Sequence, residues 1–224
     1  MQGIVTGGSR GLGLALTRVL VERGWRVVVD ARDAHALERA VAGLDGVVAL
    51  EGDVADSEHR RRLVEAAGEP IDLLVNNASL LGPAPLPALA DYPLEELRRV
   101  YEVNVFAPLA LLQLALPHFG VGARIVSVSS DAAVEAYEGW GGYGSSKAAL
   151  AQMTAVLGAE NPDLHAYVVD PGDMRTQMQQ EAFPGEDISD RPPPEESVPG
   201  LLALIEGELP SGLYRARELV ETPA

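Results

Sequence analysis

The sequence contains no cysteine. A disulfide framework, a thiolate nucleophile and a Cys-ligated zinc or iron–sulfur centre are therefore excluded. Lysine is nearly absent: of 17 basic residues 16 are Arg, and Lys147 alone is Lys. Asparagine is confined to Asn76, Asn77, Asn104 and Asn161. Positive charge is scarce overall, with Lys plus Arg at 17 against Asp plus Glu at 33, a net charge of −16. Such a field repels phosphate backbones and anionic headgroups, so neither a nucleic-acid partner nor a membrane is expected. Long apolar runs are missing too. The most apolar segment, Val103 to Leu116, is interrupted by Asn104, Pro108 and Gln113, and falls short of the roughly 18 residues a membrane span needs. No basic segment followed by an apolar stretch marks the N-terminus, so no secretory signal is visible and a cytoplasmic location is expected. His35, His59, His118 and His165 are scattered without metal spacing and read as surface or packing residues. Asp187 and Asp190 lack the ordered spacing of a calcium loop. No metal site is expected, and Arg60-Arg61-Arg62 reads as a solvated helix face.

The 224 residues, 47% apolar and 22% charged, suit one globular domain spanning 1–224 with a sizeable core. Short β-branched runs occur at Ile4–Thr6, Val27–Val29, Val47–Leu50, Ile71–Val75, Arg124–Val128 and Ala166–Val169. Near-continuous apolar runs of this kind fit strands covered on both faces. Between them lie helical stripes such as Leu12, Leu16, Val19, Leu20 and Leu94, Leu97, Val100, Tyr101. Strand alternating with helix predicts a single-domain α/β fold, a parallel sheet built from right-handed crossovers. Leu81–Pro93 carries four prolines and is excluded from regular helix or central strand. Gly172–Pro199 is acidic, with Gly185 and Pro192-Pro193-Pro194, and its 173–195 part reads as a substrate lid. The tail from Glu218 to Ala224 is expected to fray.

Thr6-Gly7-Gly8-Ser9-Arg10-Gly11-Leu12-Gly13 follows the first strand and opens the first helix. Glycines there let the backbone approach a pyrophosphate, and a helix N-terminus offers free N–H groups to the anion. This is the setting of a Rossmann-type doubly wound parallel β-sheet with helices on both faces. Further on, Tyr143 and Lys147 are i and i+4 in a segment, Gly141–Gln152, that reads as helix, so they share a face. An ammonium beside a phenol favours the phenolate, which predicts a Tyr143 phenol drawn below its usual value near 10. The lone Lys thus stands where a compact point charge has chemical use.

The Gly-x-x-x-Gly-x-Gly spacing resembles the short-chain dehydrogenase/reductase family, in its short single-domain branch. The resemblance continues through Asn76-Asn77-Ala78-Ser79 after the fourth strand, Asn104 in the fourth helix, Ser130 closing Ser127-Val128-Ser129-Ser130, Tyr143-Gly144-Ser145-Ser146-Lys147, and Pro171-Gly172 after the sixth strand. It covers residues 2 to 180. It implies hydride transfer between a nicotinamide and a carbonyl or secondary alcohol carbon, the chemistry residing in the cofactor and the protein supplying position and proton. It implies Ser130 as hydrogen-bond partner of the substrate oxygen and Tyr143 as general acid/base. Lys147 would hold the phenol down and grip the nicotinamide ribose, and Asn104 would orient a water linking Lys147 to solvent. Ser127 and Ser129 are the rival hydroxyls, on the strand face opposite Ser130.

The resemblance further assigns the cofactor to Gly7, Ser9, Arg10, Gly11, Leu12, Gly13, Arg32, Asp53, Val54, Asn77, Ala78, Tyr143, Lys147, Pro171, Gly172, Met174 and Thr176. Register places Ala31 where an acid would select NAD(H), and Arg32 and Arg10 where bases would meet the 2′-phosphate of NADP(H). Asp30 becomes an NAD-type acid if the register slips by one. Two bases against one acid favour NADP(H) over NAD(H).

Departures from the family pattern are Ser79 in place of Gly, the absence of a C-terminal Val-Asp-Gly-Gly, and a short chain ending in Ser211-Gly212-Leu213-Tyr214-Arg215 and a brief tail. Met174, Met178, Phe183, Leu80, Tyr137 and Trp140 are the expected apolar walls for an apolar or aromatic carbonyl substrate. The family implies a homodimer or homotetramer. Alternatives are a non-catalytic nucleotide-binding sensor or regulatory protein on the same fold, and an epimerase or dehydratase.

Overall fold

The structure, a computed structural model, describes residues 1–220. Seven parallel strands run in the order β3-β2-β1-β4-β5-β6-β7. They are β1 (Gln2–Val5), β2 (Arg26–Ala31), β3 (Val47–Glu51), β4 (Ile71–Asn76), β5 (Phe119–Val128), β6 (His165–Asp170) and β7 (Gly212–Arg215). The helices are α1 (Gly11–Glu22), α2 (Ala34–Val41), α3 (Ser57–Ala67), α4 (Leu94–Tyr101), α5 (Ala107–Ala115), α6 (Gly141–Glu160), α7 (Gln177–Ala182), α8 (Val198–Glu206) and α9 (Ala216–Val220).

Period-two alternation divides the core into two layers. Ile4 registers with Val28 and Leu74, and Leu74 with Ile125. This row packs against Leu63 and Val64 of α3 and Leu111 and Leu112 of α5. The opposite face, with Val5, Val29, Val75, Val126 and Tyr167 in one row and Val128 and Val169 in the next, packs against Leu12, Leu16 and Leu20 of α1, Leu37 of α2 and Leu201, Leu204 and Ile205 of α8. Both faces are thus dry, which is why the strands read as continuous apolar runs.

The chain turns from β1 toward β2 on one side and crosses to β4 on the other, so a crevice opens between the loops that follow β1 and β4. Ligands of open α/β sheets bind in such a crevice at the carboxyl ends of the strands. The loops after β5 and β6 complete its rim.

The structure corrects several expectations. Ser211-Gly212-Leu213-Tyr214-Arg215, read only as a chain end, supplies β7, which pairs with β6 from Tyr167↔Gly212 to Asp170↔Arg215. Four residues with alternating burial are too short for the periodicity to stand out. Residues 94–118 form one continuous helical stretch despite Asn104 and Pro108, because a π-helical turn, Glu102–Phe106, joins α4 to α5 and admits the proline near the start of α5. This stretch is long and apolar enough to span a membrane by length and composition. Val100, Val105, Leu111 and Ala115 bury one of its sides inside the protein. Arg60 is no part of a solvated face: it is buried, with its guanidinium donating to the Val54 carbonyl. Of the expected frayed tail, residues up to Val220 belong to α9, and 221–224 lie outside the described residues.

Candidate active site

The glycine loop is shaped by close packing. Gly7 and Gly11 have φ of +72° and +56°, the left-handed region that glycine enters without strain. A Cβ on Gly13 would stand 2.4 Å from the Gly7 carbonyl oxygen and 2.5 Å from Asn77 Nδ2. Gly13 therefore lets α1 press against the loop. It does not itself line the cleft. The N-cap of α1, Arg10, makes no side-chain cap hydrogen bond, so its first-turn N–H groups remain available to an anion.

The β4 motif braces this loop. The Thr6 hydroxyl accepts from the backbone N–H groups of Asn77 and Ala78, each at 3.0 Å. Asn77 Nδ2 donates to the carbonyls of Thr6 at 2.8 Å and Gly7 at 3.2 Å. The asparagine amide is thus spent on holding the loop, while the residue still borders the cleft.

The cleft measures about 900 Å³. Of the expected cofactor residues, all except Gly13 line it; of the expected catalytic residues, Ser130, Tyr143 and Lys147 do and Asn104 does not. Exposed Arg10 and Arg32 flank its glycine-loop end, and Arg10 also hydrogen bonds Gln177 of α7. Asp53 accepts from Ala55 N–H at 2.9 Å, a local turn, and Asp56 rather than Asp53 caps α3.

Tyr143 and Lys147 lie one turn apart on α6, and both are buried. Lys147 Nζ donates to the Val128 carbonyl at 2.8 Å and sits 5.6 Å from the centre of the Tyr143 ring. Burial pushes the Lys147 ammonium down to about 8. It also pushes the Tyr143 phenol up; the neighbouring Ser79 side chain works against that rise, and the Asp170 and Asp131 carboxylates add to it. The expectation of a phenol drawn below its usual value is therefore corrected. Desolvation is the largest cause of the rise, and the Lys147 ammonium is not among the groups that oppose it.

Ser130 lies two residues beyond the end of β5 rather than closing the strand, and caps a short 3-10 turn, Asp131–Ala133. Its Oγ donates to Asp131 Oδ1 at 3.0 Å and accepts from Ala132 N–H at 3.2 Å. Tyr137 also donates to Asp131, at 3.0 Å. The rival Ser127 lies in the core, where its Oγ accepts from Thr154 at 2.9 Å. Ser129 is buried at the cleft, and its Oγ has no partner among the described residues.

Asn104 is fully buried within the π-helical turn. Its Oδ1 accepts from Leu80 N–H at 2.7 Å and the Ser79 hydroxyl at 3.2 Å, while its Nδ2 donates to the Leu80 carbonyl and to Ser146 Oγ, both at 2.9 Å. The side chain clamps the loop after β4 onto α6.

All six expected apolar residues, Leu80, Tyr137, Trp140, Met174, Met178 and Phe183, line the cleft. The Trp140 ring meets Tyr143 edge-on at 5.8 Å and Phe183 at 6.0 Å. Met178 and Ala182 of α7 pack onto the cluster of Leu81, Ala132 and Tyr143. Residues that sequence reasoning missed are Asp131, Asp170 and Asp173, three carboxylates on the cleft wall. Burial pushes the Asp170 carboxyl up, against a hydrogen bond from Gly172 N–H. Asp131 and Asp170 directly adjoin Ser130 and Pro171 in the chain, and that adjacency was the available signal.

Comparison with known proteins follows the same line. The short chain dehydrogenase family profile matches residues 3–187. A rhamnolipids biosynthesis 3-oxoacyl-(acyl-carrier-protein) reductase of Pseudomonas aeruginosa is 34% identical over 190 residues, 78% of this chain and 73% of the relative. A benzil reductase ((S)-benzoin forming) of Saccharomyces cerevisiae is 30% identical over 197 residues, 80% and 73% respectively. A Shigella flexneri short chain dehydrogenase complexed with NADP superposes with a TM-score of 0.88 at 25% identity, covering 96% of each chain. The glycine loop after β1, the Asn77 brace and the Tyr143–Lys147 helix face thus stand in a chain that belongs to the short-chain dehydrogenase/reductase family of oxidoreductases.

Proposed function

We propose that this oxidoreductase uses NADP(H), with NAD(H) as the weaker alternative, to interconvert a carbonyl compound and a secondary alcohol. The observation that carries the reading is the convergence of Ser130, Tyr143 and Lys147 on one cleft whose other end is the glycine loop. The residues fit a dinucleotide: open first-turn amides of α1 for a pyrophosphate, and the exposed guanidinium groups of Arg10 and Arg32 for a further phosphate. When bound, the nicotinamide supplies or accepts the hydride. The NADP complex of the Shigella flexneri relative supports the same choice.

In this reading Tyr143 is the proton donor. Its phenol, held protonated by burial, gives its proton to the oxygen of the substrate carbonyl as that oxygen gains charge. Ser130 donates a hydrogen bond to the same oxygen and positions it. Lys147, anchored on Val128, contributes positive charge beside the phenolate that remains and would hold the cofactor ribose. Asn104 fixes the loop after β4 against α6, the frame in which these groups meet.

The substrate is an apolar or aromatic carbonyl compound. Trp140, Phe183, Met178 and Leu81 supply a greasy, polarizable wall, and the benzil reductase relative acts, by its name, on an aromatic carbonyl compound. Residues 173–195 serve as lid, since α7 packs Met178 and Ala182 directly over Tyr143. The exposed apolar side chains of Leu94, Phe106 and Leu116 on one helical stretch support a homo-oligomer. The decisive experiment is a paired fluorescence titration with NADPH and NADH, followed by turnover of benzil with the tighter nucleotide. Saturable NADPH binding and NADPH-dependent reduction are expected; a folded sample that binds neither nucleotide contradicts the reading.

A further inference from the structure

Asp30, the penultimate residue of β2, borders the cleft yet is 1% exposed. Its Oδ1 accepts the Gly7 N–H at 2.7 Å and its Oδ2 faces His59 Nε2 at 2.9 Å. The His59 ring is fully buried, and its other nitrogen, Nδ1, lies 3.1 Å from Arg62 Nη2. A guanidinium only donates. Nδ1 must therefore accept, the ring proton sits on Nε2, and it is donated to Asp30. Arg62 also donates to the Glu51 carbonyl at 3.2 Å. Gly52 makes room for the ring, since a Cβ there would stand 2.1 Å from His59 Nδ1. The network joins three walls of the cleft: the glycine loop at Gly7, the segment Asp30-Ala31-Arg32, and the segment Gly52-Asp53-Val54.

We infer that His59 is a specificity-determining positioning residue: by holding the Asp30 carboxylate beneath the glycine loop, it keeps an acid away from the sugar end of a bound dinucleotide and leaves Arg10 and Arg32 to select the ligand with the extra phosphate. The inference rests on the dinucleotide reading proposed above. Without His59, Oδ2 loses its donor while Oδ1 keeps only the Gly7 N–H, and a buried carboxylate short of a partner is penalised. Rotating toward the cleft relieves it. There it repels a 2′-phosphate, whereas it accepts hydrogen bonds from a ribose diol.

The test is fluorescence titration of the full chain with NADPH and with NADH, read as the ratio of the two dissociation constants. Wild type is expected to prefer NADPH. His59→Leu is expected to reduce that preference on the order of tenfold, since like charges brought together cost affinity that a ligand without the 2′-phosphate keeps. His59→Gln, which retains an N–H donor, is expected to keep most of it, and Asp30→Asn added to His59→Leu is expected to restore it. Should His59→Leu fail to fold, Arg62→Met at an exposed position frees the ring to lose its donor tautomer and shifts the ratio the same way by a smaller factor. A ratio unchanged in His59→Leu, or in Arg62→Met, with both nucleotides weakened equally overturns the inference and leaves the cofactor reading standing. Equal wild-type affinities for the two nucleotides overturn the cofactor reading itself, and the inference with it.

Discussion

The Lys147 ammonium lies 5.6 Å from the centre of the Tyr143 ring while its Nζ is fixed on the Val128 carbonyl. Both groups are buried, and burial moves both toward their neutral forms. At neutral pH the phenol holds its proton, and Lys147, down to about 8, still carries its charge over most of the population. A protonated phenol beside a cation is suited to giving a proton to an oxygen that is gaining negative charge.

Tyr143→Phe removes only the phenolic oxygen from a packed ring. The variant is expected to fold and to keep nucleotide affinity, while carbonyl reduction falls about 10²–10⁴-fold. Steady-state kinetics beside nucleotide titration checks this, and wild-type turnover in the variant contradicts the role assigned to Tyr143.

Lys147→Met tests the electrostatic account through stability. Folding depresses the Lys147 value from 10.5 to about 8. Between those values the unfolded chain holds a proton that the folded chain has released, so this group adds stability as pH rises through the window and withdraws it as pH falls through 8. The slope from this one group is at most about 1.4 kcal/mol per pH unit. The Met variant lacks it. It is expected to be ~1–3 kcal/mol more stable than wild type at pH 7, where wild type buries a cation, and to lose that advantage progressively from pH 8 to pH 10. Urea unfolding of both proteins across this range gives the difference, and a difference independent of pH contradicts the account.

Ser79 stands where the family pattern has Gly; its side chain opposes the rise of the Tyr143 phenol, and its hydroxyl lies 3.2 Å from Asn104 Oδ1. Ser79→Gly is expected to move the Tyr143 phenol further up. In the direction of alcohol oxidation, which needs the phenolate, the alkaline rise of kcat should shift to higher pH. An unshifted pH profile separates Ser79 from the acid/base step.

Arg10→Ala combined with Arg32→Ala removes two exposed guanidinium groups from the mouth of the cleft. NADPH affinity is expected to fall about 10–100-fold, since charge-assisted contacts to phosphate contribute on the order of 1.5–3 kcal/mol. NADH affinity should fall far less. Calorimetric titration of both nucleotides distinguishes this from an equal loss, which means neither side chain meets a 2′-phosphate.

Gly13→Ala places a methyl group 2.4 Å from the Gly7 carbonyl and 2.5 Å from Asn77 Nδ2. Backbone on one side has little room to yield, so a cost of about 1–3 kcal/mol in stability is expected. Nucleotide affinity should drop with it, because the same shift displaces Gly7. A folded Gly13→Ala protein with unchanged melting temperature and affinity argues that α1 and the loop can slide apart.

Much of this architecture is written locally. β-branched runs flanked by helical stripes specify a doubly wound sheet, because buried parallel strands are apolar on both faces and helices on one. The glycine spacing, the two-residue Asn76-Asn77 step and the one-turn separation of Tyr143 and Lys147 are short-range relations, and each emerged where the sequence placed it. What only the tertiary structure decided depends on groups far apart in the chain. The burial that raises Tyr143 comes from packing of α7 and the β4 loop around α6, and no i, i+4 rule contains that desolvation. The fate of Asp30 was undecidable by register, since a slip of one residue changes which way its carboxylate points. It was settled by His59 on α3 and Gly7 after β1. Arg60, one of three consecutive arginines, is buried while Arg61 and Arg62 are exposed, because only its position on α3 turns toward the Val54 carbonyl. β7 gains its identity from β6 alone. Sequence thus determines which elements form and which chemical groups are carried. The free energy of each charge is set by what folds over it, and that is a property of the assembled chain.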